Sequence, residues 1–313
     1  MSIDMPLENA SLHELQQTPI DNVLHIIDEG LVHLPTYREL YYRWERQQWR
    51  AQDIDFSFDR QQWEGMKAEE REMRMYGLSA FFRGEASVTD TLSPYAIAMP
   101  DEDMRIFVTT QTVDEARHTV FFDRFFREVI GIEKESLEAE LGVAEQYMGP
   151  KMKYILIEAL QTIAESIRRD PGNLASLIEG VTLYHVIIEG TMALAGQRSI
   201  LELYRQYNLF PAFRGGFTAV ARDESRHVVF GVKFLRDMIQ RDAANAQVVY
   251  NSINRYITTA LEAISPDPED IPGILASGQD PWVTPRYAVD SLRKKVKVVG
   301  LSMELPTVPP PPF

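Results

Sequence analysis

The sequence has no cysteine among its 313 residues. This excludes disulfides, thiolate-held zinc, iron–sulfur clusters and a cysteine nucleophile, so any metal must be held by oxygen and nitrogen. Positive charge is also in deficit. The 32 Lys and Arg against 46 Asp and Glu give a formal charge of −14, which opposes phosphate backbones and anionic headgroups and excludes nucleic acid as an expected partner. No apolar run approaches the roughly 18 uninterrupted residues of a membrane span, and MSIDMPLENA lacks the basic and apolar regions of a signal peptide. The expectation is therefore no transmembrane segment and a cytoplasmic location. No strand-period alternation persists anywhere.

Hydrophobic residues make up 45% of the chain, enough for a substantial core. They are arranged as helix after helix. Tyr37 to Ala51 reads as a helix rich in Tyr, Trp and Arg, followed by a polar and aromatic connection, QDIDFSFDRQQW. Glu69 to Leu92 stops at Ser93 and Pro94, and Asp101 to Ile130 opens on an acidic first turn suited to a helix amino terminus. Residues 133–144 form a short amphipathic connector. Lys151 to Arg169 runs to the turn Asp170-Pro171-Gly172, and Asn173 caps a helix reaching about Asn208. Ala212 to Arg241 and residues 243–264 follow, then loop sequence and a basic helix from Arg286 to Val298. The fold class is all-α, a bundle with extra helices at its ends. A single domain over 1–313 is expected: a bundle at about 68–241, an N-terminal extension 1–35 whose apolar Val23 to Val32 is a docking or interface segment, and a flexible tail at about 300–313.

Two E-x-x-H pairs stand out. Glu115 and His118 lie in VDEARH, Glu224 and His227 in ARDESRH, each glutamate preceded by an aspartate. A three-residue offset puts both side chains on one helical face. One such pair alone is usually a surface or capping pair. Two, each on an apolar helix, match the carboxylate-bridged dinuclear arrangement, which needs one more glutamate from each of two further helices. FFRGEASVTD and LYHVIIEGTMALAG supply them: Glu85 and Glu189 sit among apolar and small residues, where an ionised carboxylate needs a partner. Each alone reads as an ion pair, Glu85 with Arg83 for example. Together the four helices offer four carboxylates and two imidazoles, the inventory of a dinuclear iron or manganese site. With two divalent ions that set is neutral, and two trivalent ions leave room for oxide, hydroxide or an added carboxylate.

These residues resemble the ferritin-like superfamily, and within it the ribonucleotide reductase small subunits and their relatives, over about residues 37–240. The implied fold is a ferritin-like four-helix bundle core with additional helices. Phe122 lies one turn after His118, where the classical radical-bearing subunits have tyrosine, and Glu85 stands where they mostly use aspartate. Val88, three residues after Glu85, and Tyr184, five before Glu189, make the chain similar to the ligand-binding oxidases of this type. That resemblance implies a Val88–Tyr184 ether cross-link, a manganese–iron or di-iron cofactor, molecular oxygen as reactant, and a long-chain fatty acid as a hydrophobic small-molecule ligand whose carboxylate meets the metals. It also implies a homodimer, a role for Asp223 in hydrogen-bonding a ligating histidine, His118, and a role for Trp49 in extending that route toward the surface. His185 is read as a core or surface histidine and not a ligand.

On the residues themselves, Val88 shares a face with Glu85, so its tertiary Cβ–H can lie near the metals while Tyr184 approaches from a facing helix. An apolar lining from Phe81, Phe82, Val186, Ile187 and Met192 would hold an alkyl chain, or be packing alone. Two rivals stand beside the oxidase: a metal-radical ribonucleotide reductase subunit, whose relay tyrosine would have to be supplied from a segment where the last tyrosine is Tyr287, and a non-enzymatic ferritin-like metal-storage protein, which has no reason to form the cross-link.

Overall fold

The computed structural model describes residues 7–312. The first six residues of the expected 1–35 extension, and Phe313 at the end of the tail, lie outside the described residues. Among the described residues there are helices and no strand. Four long helices build the bundle: Ala68–Thr91, Glu102–Phe125, Leu174–Gln206 and Pro211–Arg241. The first packs along the second, and the third along the fourth.

Local chemistry places the helix starts. Asp101 accepts the Asp103 N–H at 2.9 Å, and Asn173 accepts the Ser176 N–H at 3.2 Å. These side chains satisfy donors that a helix amino terminus leaves free. The fourth helix opens on Pro211 and is capped from a distance, because Asp59 accepts the N–H groups of Ala212 and Phe213 at 3.1 and 2.7 Å. Asp59 belongs to a helix, Ser57–Glu64, in the stretch expected to be a connection. A further short helix, Ile271–Ala276, lies in the expected loop. The helix expected over Tyr37 to Ala51 ends at Arg46, where Gln47 turns inward: its carbonyl accepts from Arg222 at 3.1 Å and its side-chain oxygen accepts from Arg226.

The fourth helix is the hub, buried at every residue from Phe213 to Val232. Neighbours cover all its sides: the short N-terminal helices Leu12–Gln17 and Ile20–Val32, the third bundle helix, and the C-terminal helix Val283–Val299. Val23, Leu24, Ile26, Ile27 and Leu31 are all buried, so the apolar N-terminal stretch docks on its own bundle. Arg222 ties down the preceding loop by donating to the carbonyls of Leu7 and Ala10. Among the described residues beyond Gly300 there is no helix, yet Leu301, Met303, Leu305 and Val308 pack against the core and Arg286 donates to the Pro309 carbonyl at 2.7 Å.

The third helix is long and apolar enough to cross a membrane by length and composition, but most of its apolar stretch is buried inside the protein. Its centre, Thr182–Ala193, is π-wound, with i→i+5 hydrogen bonding. Residues five apart stand about 140° apart around an ordinary α-helix but stack on one face of a π-turn. Tyr184 and Glu189 are five apart, and the winding turns both toward the bundle centre.

Close approach of the third and fourth helices rests on Gly231, where a Cβ would fall on that of His185. Gly231→Val is therefore expected to cost about 1–3 kcal/mol by overpacking, read as a lower urea midpoint with an unchanged slope.

Candidate metal centre

All six expected ligand residues converge in the middle of the bundle, none more than 7% exposed. They form two overlapping sets whose ligand atoms lie within 4.8 Å of one another: Glu85, Glu115, His118 and Glu224 in one, Glu115, Glu189, Glu224 and His227 in the other. Glu115 and Glu224 belong to both. Glu115 sends Oε2 toward His118 Nδ1 at 3.6 Å and Oε1 toward His227 Nδ1 at 3.2 Å. Glu224 does the same at 3.3 Å to each ring. Glu85 meets only His118, at 3.2 Å, and Glu189 only His227, at 3.1 Å. Glu115 and Glu224 thus face both imidazoles, and Glu85 and Glu189 face one each.

Both imidazoles present Nδ1 to the carboxylates and turn Nε2 outward to an aspartate. His118 Nε2 lies 3.3 Å from Asp223 Oδ2, and His227 Nε2 lies 3.2 Å from Asp114 Oδ2. Each aspartate therefore serves the histidine of the opposite E-x-x-H helix, an arrangement that fixes the tautomer with Nδ1 free for a ligand. Asp114, read in sequence only as an acidic neighbour of Glu115, holds a position equivalent to Asp223. Buried Arg226 donates to both aspartates at 2.8 Å, and Arg117 bonds Asp114 and lies 3.2 Å from Asp223. Indole N–H groups complete the pattern, Trp49 to Asp223 at 2.7 Å and Trp44 to Asp114 at 2.9 Å.

Gln111 also escaped notice in sequence. Fully buried one turn before Glu115, it donates to the Tyr184 hydroxyl at 2.9 Å and to Glu189 at 3.3 Å, and its oxygen faces His185 Nε2 at 3.1 Å. Its only signal was a polar residue in step with the ligand face. Tyr184 donates to Glu115 Oε1 at 2.7 Å. His185 lies outside both ligand sets, and burial pushes its pKa down to about 3, so it is neutral.

A cavity of about 240 Å³ opens onto these carboxylates between Val88 and Tyr184, and runs out past Ile188 and Met192 to Tyr76, which is 43% exposed. Of the five residues expected to line it, Phe81 and Met192 do. Phe82, Val186 and Ile187 do not. They are core residues: Phe82, on the first bundle helix, packs against Phe126 with centroids 4.7 Å apart and planes 42° apart, and on the third helix Tyr184, Ile188, Glu189 and Met192 line the opening while Val186 and Ile187 do not.

Charge distribution shows what the cluster lacks. Burial pushes Glu85 and Glu189 well above the carboxylate range. It does the same to Glu115 and Glu224, but there the two imidazoles outweigh it and hold both below their ordinary value. Burial opposes charge on the rings, yet Glu85 and Asp223 around His118, and Glu189 and Glu224 around His227, raise both well above the usual histidine value. Protons thus stand in for cations. Glu189 Oε2 is buried without a hydrogen-bond partner, an open oxygen facing the cluster. Four carboxylates and two imidazoles at this spacing fit a pair of divalent ions.

The chain matches the family described as ribonucleotide reductase, small chain, over residues 32–264. Similar solved structures include variants of an R2-like ligand-binding oxidase: a valine-to-isoleucine variant with an anaerobically reconstituted Mn/Fe cofactor, and a glycine-to-leucine variant with a non-activated Mn/Mn cofactor. Each is 24% identical at a TM-score of 0.73. A tyrosine-to-phenylalanine variant with an aerobically reconstituted Mn/Fe cofactor is 23% identical at the same TM-score. In all three the match covers 84% of this chain and 93% of the other. At this identity the likeness shows the fold.

Loading two divalent ions should expel one proton from each of Glu85, Glu189, His118 and His227, about four per chain. Calorimetry in buffers of different ionisation enthalpy measures this number. Metal affinity is expected to fall steeply as pH is lowered, since protons compete for the same atoms.

Proposed function

Because the chain belongs to the ribonucleotide reductase small-chain family, we propose that it is an oxygen-activating dinuclear metal oxidase with a manganese–iron or di-iron centre held by Glu85, Glu115, His118, Glu189, Glu224 and His227. The observation that carries this reading is the cavity, which brings an apolar passage onto four buried carboxylates between Val88 and Tyr184. A long-chain fatty acid is the proposed ligand. Among the described residues lining the cavity there is no Lys, Arg or His, so a ligand carboxylate there is neutralised only by the metal ions. The apolar wall of Phe81, Leu156, Ile188 and Met192 accepts an alkyl chain and keeps water from the reacting atoms.

Bound redox metals would supply the reduction of oxygen and an oxidant strong enough to break a C–H bond. Tyr184 is held for reaction by its bonds to Glu115 and Gln111. Burial first, then the surrounding glutamates, raise its pKa well above that of a free phenol, so it carries its proton until it is oxidised, with Glu115 as acceptor at 2.7 Å. Ether formation removes the hydrogen from Val88 Cβ and that from the Tyr184 hydroxyl, joins carbon to oxygen, and passes two electrons to the oxidant. Asp223 and Asp114 hold the imidazoles in place throughout. Phe122, fully buried against Phe213 and Phe217, offers no phenol for a stored radical.

The rival reading, a metal-radical ribonucleotide reductase subunit, is favoured by the hydrogen-bonded chain from Trp49 through Asp223 to His118. Intact mass after aerobic metal loading separates the two: loss of two hydrogens, located to the peptides holding Val88 and Tyr184, is expected of the oxidase. Tyr184→Phe should keep the metals and show no loss. Unchanged mass in fully loaded wild type removes the oxidase reading, and mass spectrometry of extracted lipid identifies the ligand.

A homodimer is part of the proposal. It is supported by Ile106, Val113 and Val120 on the second bundle helix, spaced by seven along one face and 37%, 50% and 42% exposed. Val113→Glu should yield monomers in light scattering while leaving metal content intact.

A further inference from the structure

The two ends of the centre are wired alike in their inner contacts and differently beyond them. On the His118 side the chain runs through Asp223 to Trp49, which is 8% exposed. The Trp49 ring lies against His118 and Phe121 and is covered by the Arg117 guanidinium, 5.2 Å from its centroid. A cation at that distance opposes loss of an electron from the indole, and no tyrosine or second tryptophan is in ring contact with it among the described residues.

On the His227 side the chain continues. His227 Nε2 faces Asp114 Oδ2 at 3.2 Å, and Trp44 donates to Asp114 Oδ1 at 2.9 Å. Trp44 stacks on Tyr41 with centroids 5.9 Å apart and planes 30° apart, and Tyr41 meets Tyr42 at 6.1 Å. Tyr42 is 45% exposed. Every side chain beyond the aspartate is one that can give up a single electron, and the series ends in solvent. Glu45 beside the Tyr41 hydroxyl raises its pKa and supplies a base for the phenolic proton. Trp44, Tyr41 and Tyr42 are all carried by the helix Tyr37–Arg46, which packs against the second bundle helix that carries Asp114.

We infer that Trp44, Tyr41 and Tyr42 form an electron-transfer route from the protein surface to the His227 end of the metal centre, fed by a one-electron donor in solution. The inference rests on the dinuclear-oxidase reading. Each passage moves one electron inward. Trp44 yields an electron to the oxidised centre and keeps its indole proton in the bond to Asp114. Tyr41 then restores Trp44, and the Tyr41 phenolic proton passes to Glu45. The external donor is oxidised by one electron as it restores Tyr41 through Tyr42, and Glu45 returns the proton. Two passages supply the two electrons that return two trivalent ions to the divalent state.

The test is a map of where oxidising equivalents escape. Full-length protein loaded with manganese and iron is cycled between dithionite and air without added substrate, and its peptides are examined by mass spectrometry for added oxygen. Wild type is expected to carry oxygen on Trp44, Tyr41 and Tyr42. Tyr41→Phe, which leaves the Trp44–Asp114 bond in place, should lose the mark on Tyr42 and keep it on Trp44. Trp44→Phe should lose it on both tyrosines, and Trp49→Phe should lose none of the three. Metal content and the Val88–Tyr184 cross-link are measured on the same samples. Undiminished marking of Tyr42 in Tyr41→Phe or Trp44→Phe overturns the route, as does unmarked wild type that has bound metal and formed the cross-link. Wild type that binds no metal removes the oxidase reading, and the route with it.

Discussion

Four carboxylates and two imidazoles in a water-excluded bundle cannot all keep the charges they carry in water, and the rest of the structure is arranged around that conflict. Without cations the cluster is settled by protons, which reside on Glu85, Glu189 and both histidines. Two divalent ions replace those protons with the same net charge, so the fold tolerates either state. Behind the cluster, Asp114 and Asp223 add two further buried anions, and Arg226 and Arg117 offset them. Buried arginines need acceptors in turn, which draws in the backbone and side chain of Gln47 and the N-terminal loop at Leu7 and Ala10. The burial of the fourth helix from Phe213 to Val232 goes with this chain of obligations.

Geometry adds a second constraint at the third helix. An α-helix would place Tyr184 and Glu189 on different faces, and only the i→i+5 winding of Thr182–Ala193 lets one helix give both a carboxylate and a phenol to the same space. That winding is held from behind, where Ser291 donates to the Gly190 carbonyl at 3.1 Å and buried Lys295 donates to the Ser291 hydroxyl at 2.5 Å. Among the described residues Lys295 has no carboxylate partner, and burial lowers its pKa to about 7.

Much was legible in the residues. The paired E-x-x-H spacing, and glutamates stranded among apolar residues in FFRGEASVTD and LYHVIIEGTMALAG, named the six residues that the bundle brings together, because spacing along a helix is a local property. The long helices and most of their ends were legible for the same reason, through Asp101, Asn173 and the Asp170-Pro171-Gly172 turn, whereas the short helices Ser57–Glu64 and Ile271–Ala276 were not. Less visible were contacts made across helices. Gln111 looked like an ordinary polar residue, Asp114 like a surface acid, and Trp44 like one aromatic among several, since nothing in their immediate neighbours shows which distant side chain each will meet. Phe82, Val186 and Ile187 were read as a cavity lining or as packing alone, and packing is what they do, because which apolar residue meets an opening is set by neighbouring helices.

The sequence by itself determined the inventory: an all-α chain, oxygen and nitrogen ligands only, and which four helices carry them. These follow from composition and short-range periodicity, which do not depend on how the helices pack. The tertiary structure alone decided the arrangement, with Glu115 and Glu224 facing both imidazoles and Glu85 and Glu189 one each, each aspartate serving the opposite helix's histidine, and the cavity lined by both Val88 and Tyr184. Each of these is a relation between atoms on different helices, so it exists only once crossing, winding and register have been set by packing.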